Sequence, residues 1–103
     1  VVRVPPDHAL MHPAAIVAAL HRCGLSRLLI EGGAWTVSSF VDAGVVDRLH
    51  VLVAPMILGS GKTGLSLAPI ARLDAARRPE TRVFVLDDGD VLFDCDLTRQ
   101  RAS

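Results

Sequence analysis

Leu28-Leu29-Ile30-Glu31-Gly32-Gly33-Ala34-Trp35 decides how the chain is read. Three consecutive aliphatics after Arg27 predict a strand over residues 27–30, buried on both faces as in parallel sheets. A glycine pair then opens a helix over residues 34–43, closed by Gly44. Open α/β sheets bind their ligands at such carboxyl ends of strands. Two glycines let a ligand approach the backbone, and the free amides of a helix start hold an anion such as a pyrophosphate. A plain tight turn explains the same glycines, so spacing alone leaves both readings open. The full G-x-G-x-x-G fingerprint is absent, since Ala34 and Trp35 follow Gly33. Glu31 ends an aliphatic run, where an unpaired charge is costly to bury. It is expected to contact substrate hydroxyls in a polar cleft or to cap nearby amides. Ser38 and Ser39 lie one turn into the helix and add hydroxyl contacts only if their side faces the ligand.

Upstream, Val1-Val2-Arg3-Val4 reads as a strand closed by Pro5-Pro6. A helix starts near Pro13, carries Ile16, Val17 and Leu20 on one face, and ends at Gly24. Downstream, residues 48–54 form a strand with Leu49, Val51 and Val53 on one face. Trp35, Phe40 and Val41 are expected on one apolar side of the second helix. Residues 59–64, Gly-Ser-Gly-Lys-Thr-Gly, form a glycine-rich loop, either mobile over a ligand or a simple turn. The Walker pattern needs a glycine at position 56, where Met56 stands, so nucleoside-triphosphate hydrolysis is excluded. Residues 65–78 are irregular, with Pro69 limiting any helix. Asp88-Gly89 between the apolar runs 82–86 and 91–97 predicts a β-hairpin. Strands joined by helices imply parallel pairing with right-handed crossovers, and the hairpin makes the sheet mixed.

Composition narrows the function. The 103 residues carry 11 basic and 11 acidic side chains with 4% aromatics, which argues against nucleic-acid binding. The apolar run 51–58 is interrupted by Pro55 and falls short of the roughly 20 residues that span a bilayer. No signal peptide is visible, and the two cysteines read as reduced thiols in a cytoplasmic protein. His8, His12, His21 and His50 form no metal-ligand cluster, and no nucleophile elbow occurs. Asp87, Asp88, Asp90, Asp94 and Asp96 read as solvated turn and strand-edge charges. A chain this short buries only roughly 60–65% of its unfolded surface, so a partner is expected to add stability.

Three motifs in order then carry a resemblance: the run 28–33 ending Glu31-Gly32-Gly33, the helix end Ala43-Gly44-Val45-Val46-Asp47, and Ala54-Pro55-Met56-Ile57-Leu58-Gly59-Ser60-Gly61. Together they resemble the reductase domain of riboflavin biosynthesis, a relative of dihydrofolate reductase. The closing stretch from Asp90 to Cys95 suits that family's end. The resemblance implies an α/β fold of the dihydrofolate-reductase type. That fold is a three-layer αβα arrangement with a mixed, mainly parallel sheet and a C-terminal antiparallel hairpin. Only the C-terminal half of the domain is matched, so residues 1–103 are expected to be a partial domain, and the absent initiator Met points to a chain with its start removed.

The resemblance also implies an NADPH-dependent reductase of ribosylamino-pyrimidine 5′-phosphates, whose ribose is opened and reduced to a ribityl chain. Glu31 would contact the substrate sugar, and Gly32, Gly33, Ala34, Trp35, Thr36, Val37, Ser38 and Ser39 would form the cofactor segment. No catalytic side chain and no metal is assigned, because the cofactor brings the hydride. The expected partners are a small-molecule substrate and a second copy of the chain. Two alternatives stand beside this: a reductase of the same fold with another substrate, and a non-catalytic half-domain that dimerises through an unpaired sheet edge.

Overall fold

A computed structural model describes residues 12–98. The strand expected at residues 1–4 lies outside them. Two compact units divide the chain, one built from the residues up to Val45 with Gly64–Leu67, the other from Val46–Thr63 with the residues from Ala68 onward.

The first unit holds two helices, α1 (Pro13–Arg22) and α2 (Ala34–Asp42). Pro13 opens α1 as expected, and the ring of His12 caps it, Nδ1 accepting from the Ala14 N–H at 3.2 Å. At its other end the Gly24 N–H donates to the His21 carbonyl and the Leu25 N–H to that of Leu20, closing the last turn. Ala19 is the most buried residue of α1, between the expected Ile16 and Leu20. On α2 the inward stripe runs Ala34, Val37, Ser38 and Val41, at helical spacing, with Ser38 and Val41 buried. Trp35 lies off that stripe and is 65% exposed, which corrects the expectation that it shares a side with Val41.

Residues 27–30 are not a strand. A strand needs a neighbour for its amides and carbonyls, and no strand among the described residues pairs with this segment. Leu28 and Leu29 are exposed, Leu29 at 85%, while Ile30 is half-buried.

The second unit is a three-stranded antiparallel sheet of β1 (Arg48–Val53), β2 (Glu80–Val85) and β3 (Val91–Asp96), in the order β1-β3-β2. Parallel pairing is not seen among the described residues. The hairpin forms where Asp-Gly placed it. The Gly89 N–H donates to the Leu86 carbonyl, the Leu86 N–H donates to that of Asp90, and Gly89 takes a φ of 90°. The chain from β2 to β3 thus reverses through two acidic residues and one left-handed glycine. Leu97 is buried beyond β3, its N–H donating to the Asp47 carbonyl at 2.8 Å. A short 3-10 turn, Leu73–Ala75, interrupts the otherwise irregular stretch after the glycine-rich loop. No helix among the described residues is long and apolar enough to cross a membrane.

Register sorts the sheet's two faces. One carries Arg48, His50 and Leu52 on β1, Asp96, Asp94 and Leu92 on β3, and Glu80, Arg82 and Phe84 on β2. The other is apolar along Leu49, Val51, Val53, Val91, Phe93, Val83 and Val85, joined by Cys95 and Thr81.

Candidate functional site

The sequence pointed to the entrance of α2, and the backbone there is bare. Gly33 is the helix N-cap at φ −72° and ψ 169°, with no side chain capping the first amides. A methyl group added at Gly33 would meet no atom within 4 Å, so nothing plugs the corner from the protein's side. Gly32 sits at φ 139°, a conformation in which an L side chain is strained. Its nearest neighbour is the Thr36 side chain, 3.8 Å from where a Cβ would lie. No acidic residue occupies the first turn of α2 to compete for its amides. An uncapped helix start with positive dipole character and no Cβ in the way suits a pyrophosphate.

Glu31 stands immediately before this corner and is exposed. The burial cost expected at this position does not arise, because the strand it would have ended does not form. Ala34, Thr36 and Val37 are half-buried on the first turn, and Trp35 is exposed beside them. The two serines point elsewhere. The Ser39 hydroxyl donates to the Trp35 carbonyl at 2.7 Å. Ser38 is 3% exposed, and its Oγ accepts the Ser66 N–H at 2.8 Å. The structure therefore brings Glu31, Gly32, Gly33 and the first turn together at one open end, and turns the Ser38 hydroxyl into the unit.

A second cluster, on the polar face of the sheet, escaped the sequence reading. Asp94 lies at the middle of the central strand and is buried, not solvated. Arg48 Nη1 donates to its Oδ1 at 2.8 Å and Arg82 Nη2 to its Oδ2 at 3.1 Å. His50 Nε2 approaches Oδ1 at 3.2 Å. The hydrogen bond from Arg48 holds the Asp94 carboxyl below the ordinary carboxylate range; burial opposes this, and Arg82 and His50 add to it. Asp94 in turn raises the affinity of Arg48 for its own proton. Arg48, Arg82 and Asp94, with Glu80, Thr81 and Asp96, line an open hollow of about 340 Å³. Its two guanidinium groups are already engaged by the central carboxylate, which makes it a clasp across three strands. No local pattern marked it: Arg82 on β2 stands in register with Asp94, while on β1 His50 does, and Arg48 reaches it from the position opposite Asp96.

Comparison with known proteins bears on the corner. The model of the RibD C-terminal domain matches residues 1–85. The 2,5-diamino-6-ribosylamino-4(3H)-pyrimidinone 5′-phosphate reductase of Methanothermobacter thermautotrophicus is 41% identical over 44 residues, 43% of this chain and 20% of that protein. The reductase of the same name from Archaeoglobus fulgidus is 35% identical over 46 residues, 45% of this chain and 21% of that protein. The riboflavin biosynthesis protein RibD of Corynebacterium ammoniagenes is 44% identical over 45 residues, 44% of this chain and 13% of that protein. The matched segments thus span about a fifth or less of each of these relatives. No solved structure is significantly similar to the chain. A family match that takes in both helices, the glycine corner and the first two strands leaves one conclusion: the chain belongs to the RibD C-terminal domain family.

Proposed function

We propose that residues 1–103 are the C-terminal half of a pyrimidine reductase domain of riboflavin biosynthesis, which uses NADPH to convert a ribosylamino-pyrimidine 5′-phosphate to its ribitylamino form. The observation that carries this reading is the unfilled glycine corner at the uncapped start of α2, in a chain of this family. The names of the relatives, reductases of the pyrimidinone phosphate and RibD proteins, support the substrate class.

The corner fits the cofactor's diphosphate by shape and by charge. The amides of Ala34, Trp35 and Thr36 would hold it against the helix dipole, with Gly32 and Gly33 letting it approach the main chain. Thr36 and Val37 complete the turn behind it. When bound, the nicotinamide supplies the hydride. Glu31, exposed at the mouth, would orient the opened sugar through its hydroxyls. The finer fold that goes with this reading is the three-layer αβα arrangement of dihydrofolate reductase, with a mainly parallel sheet. In it, residues 27–30 become a strand once a neighbour supplies their hydrogen bonds. The same reading makes the protein a cytoplasmic homodimer.

Trp35 is the single tryptophan and stands in the first turn of the helix concerned, so its fluorescence reports on the corner directly. Titration with NADPH is expected to quench it, and NADH to leave it unchanged. Loss of NADPH absorbance on adding the ribosylamino-pyrimidine phosphate then tests the reaction. No fluorescence response at millimolar NADPH overturns the proposal.

A further inference from the structure

The Ser38 hydroxyl belongs to the segment the family resemblance gives to the cofactor, yet it is engaged inside the helical unit. It is buried on the inward stripe of α2, and it accepts a hydrogen bond from the backbone of Ser66. Ser66 lies in Gly64–Leu67, the one stretch after Val45 that packs with the helices and not with the sheet. That stretch is the direct continuation of the glycine-rich loop, residues 59–64, which has no regular structure and is exposed throughout. Leu65, next to the bond, is half-buried, while Ser66 itself is exposed. The chain returning from the loop is thus fastened to α2 at a side-chain acceptor, where an aliphatic residue would otherwise complete the stripe.

We propose that Ser38 is a positioning residue, not a cofactor contact: its hydroxyl pins the far end of the glycine-rich loop to the helix that offers the dinucleotide corner. A helix N-terminus holds an anion well only if the helix is held still. The pin joins α2 to a segment 28 residues away in sequence, so releasing it frees the loop at one end and loosens the helix at its middle. The cofactor part of this inference rests on the NADPH reading above; the pin itself does not.

The chain offers a direct readout. Lys62, within the loop, is its only lysine. A lysine-specific endoprotease therefore has one site, and its cleavage rate measures local opening of that loop. Ser38→Ala is expected to be cleaved at Lys62 up to about tenfold faster than the parent, since loss of a part-buried hydrogen bond shifts an opening equilibrium by up to about that factor. Its Kd for NADPH, read by Trp35 quenching, is expected to rise by a similar factor. Ser38→Thr keeps the acceptor and is expected to restore both. Ser66→Pro removes the donor from the exposed side and reproduces the Ser38→Ala cleavage rate, so the pin remains testable if Ser38→Ala does not fold. Parental cleavage rates in both Ser38→Ala and Ser66→Pro overturn the pin. A Ser38→Thr variant as open as Ser38→Ala also overturns it. Faster cleavage with an unchanged Kd overturns the link to the cofactor. A parent that binds no NADPH defeats the functional reading and that link with it, while the cleavage rates still decide the pin.

Discussion

Gly32 and Gly33 are adjacent, yet they are glycine for different reasons. Gly32 needs its φ of 139°, which strains any L side chain. Gly33 has the ordinary φ of −72° and open space where a Cβ would go. The fold therefore tolerates a side chain at Gly33, while the diphosphate of the proposed cofactor would not. Gly33→Val is expected to leave the circular dichroism spectrum and thermal midpoint close to parental and to abolish NADPH quenching of Trp35. Unchanged quenching in this variant would remove the corner from the cofactor's path. Asp94 yields a pH prediction. Its folded pKa is depressed, chiefly by Arg48, so its contribution is present above the ordinary carboxylate value of about 4 and is lost as pH falls through the folded value. Urea midpoints of the parent and of Asp94→Asn are expected to differ at about pH 6 and to converge as the pH falls through the depressed folded value of Asp94. A gap that persists in acid would mean that the clasp does not act through charge.

At the scale of elements, local chemistry was legible where it closes on itself. Pro13 and Gly24 bracket α1, Gly33 and Gly44 bracket α2, and Asp88-Gly89 places the hairpin turn, because each signal acts within a few residues. Residues 27–30 were misread for the converse reason. Aliphatic composition marks a segment that suits a sheet interior, but a strand exists only beside a hydrogen-bonding neighbour. The helix stripe was misjudged through Trp35, which was grouped with Val41 on one apolar side but stands 65% exposed at the edge of the Ser38–Val41 stripe. Asp94 was missed because its two arginines come from other strands, Arg82 in register with it and Arg48 from the position opposite Asp96, which no local pattern displays. The corner itself was legible as bare backbone at a helix start, whereas the inward turn of Ser38 depended on a loop far along the chain. The hairpin turn carries its own test. Gly89 has a φ of 90°, and a Cβ there would stand 3.4 Å from Pro55 Cγ. Gly89→Ala is expected to destabilise the sheet unit by about 1–2 kcal/mol, measured by urea unfolding.

For the molecule as a whole, burial is thin. Among the described residues no large side chain is fully buried, and Ile57 at 99% exposure and Met56 at 68% lie in solvent beside the end of β1. A homodimer is the assembly that goes with the proposed function, and light scattering is expected to return about twice the chain mass of 11.0 kDa at micromolar concentration. A monomer mass across that range would set the dimer aside. The strand order carries a further consequence. β1 and β2 are not paired with each other: among the described residues each pairs only with β3, the last of the three in sequence. Translation releases a protein from its first residue onward, so on the ribosome neither of these two ladders can close until residues 91–96 have been made. A premature stop at position 86 would leave the glycine corner and both helices encoded, yet would deny the nascent polypeptide both ladders of this three-stranded sheet.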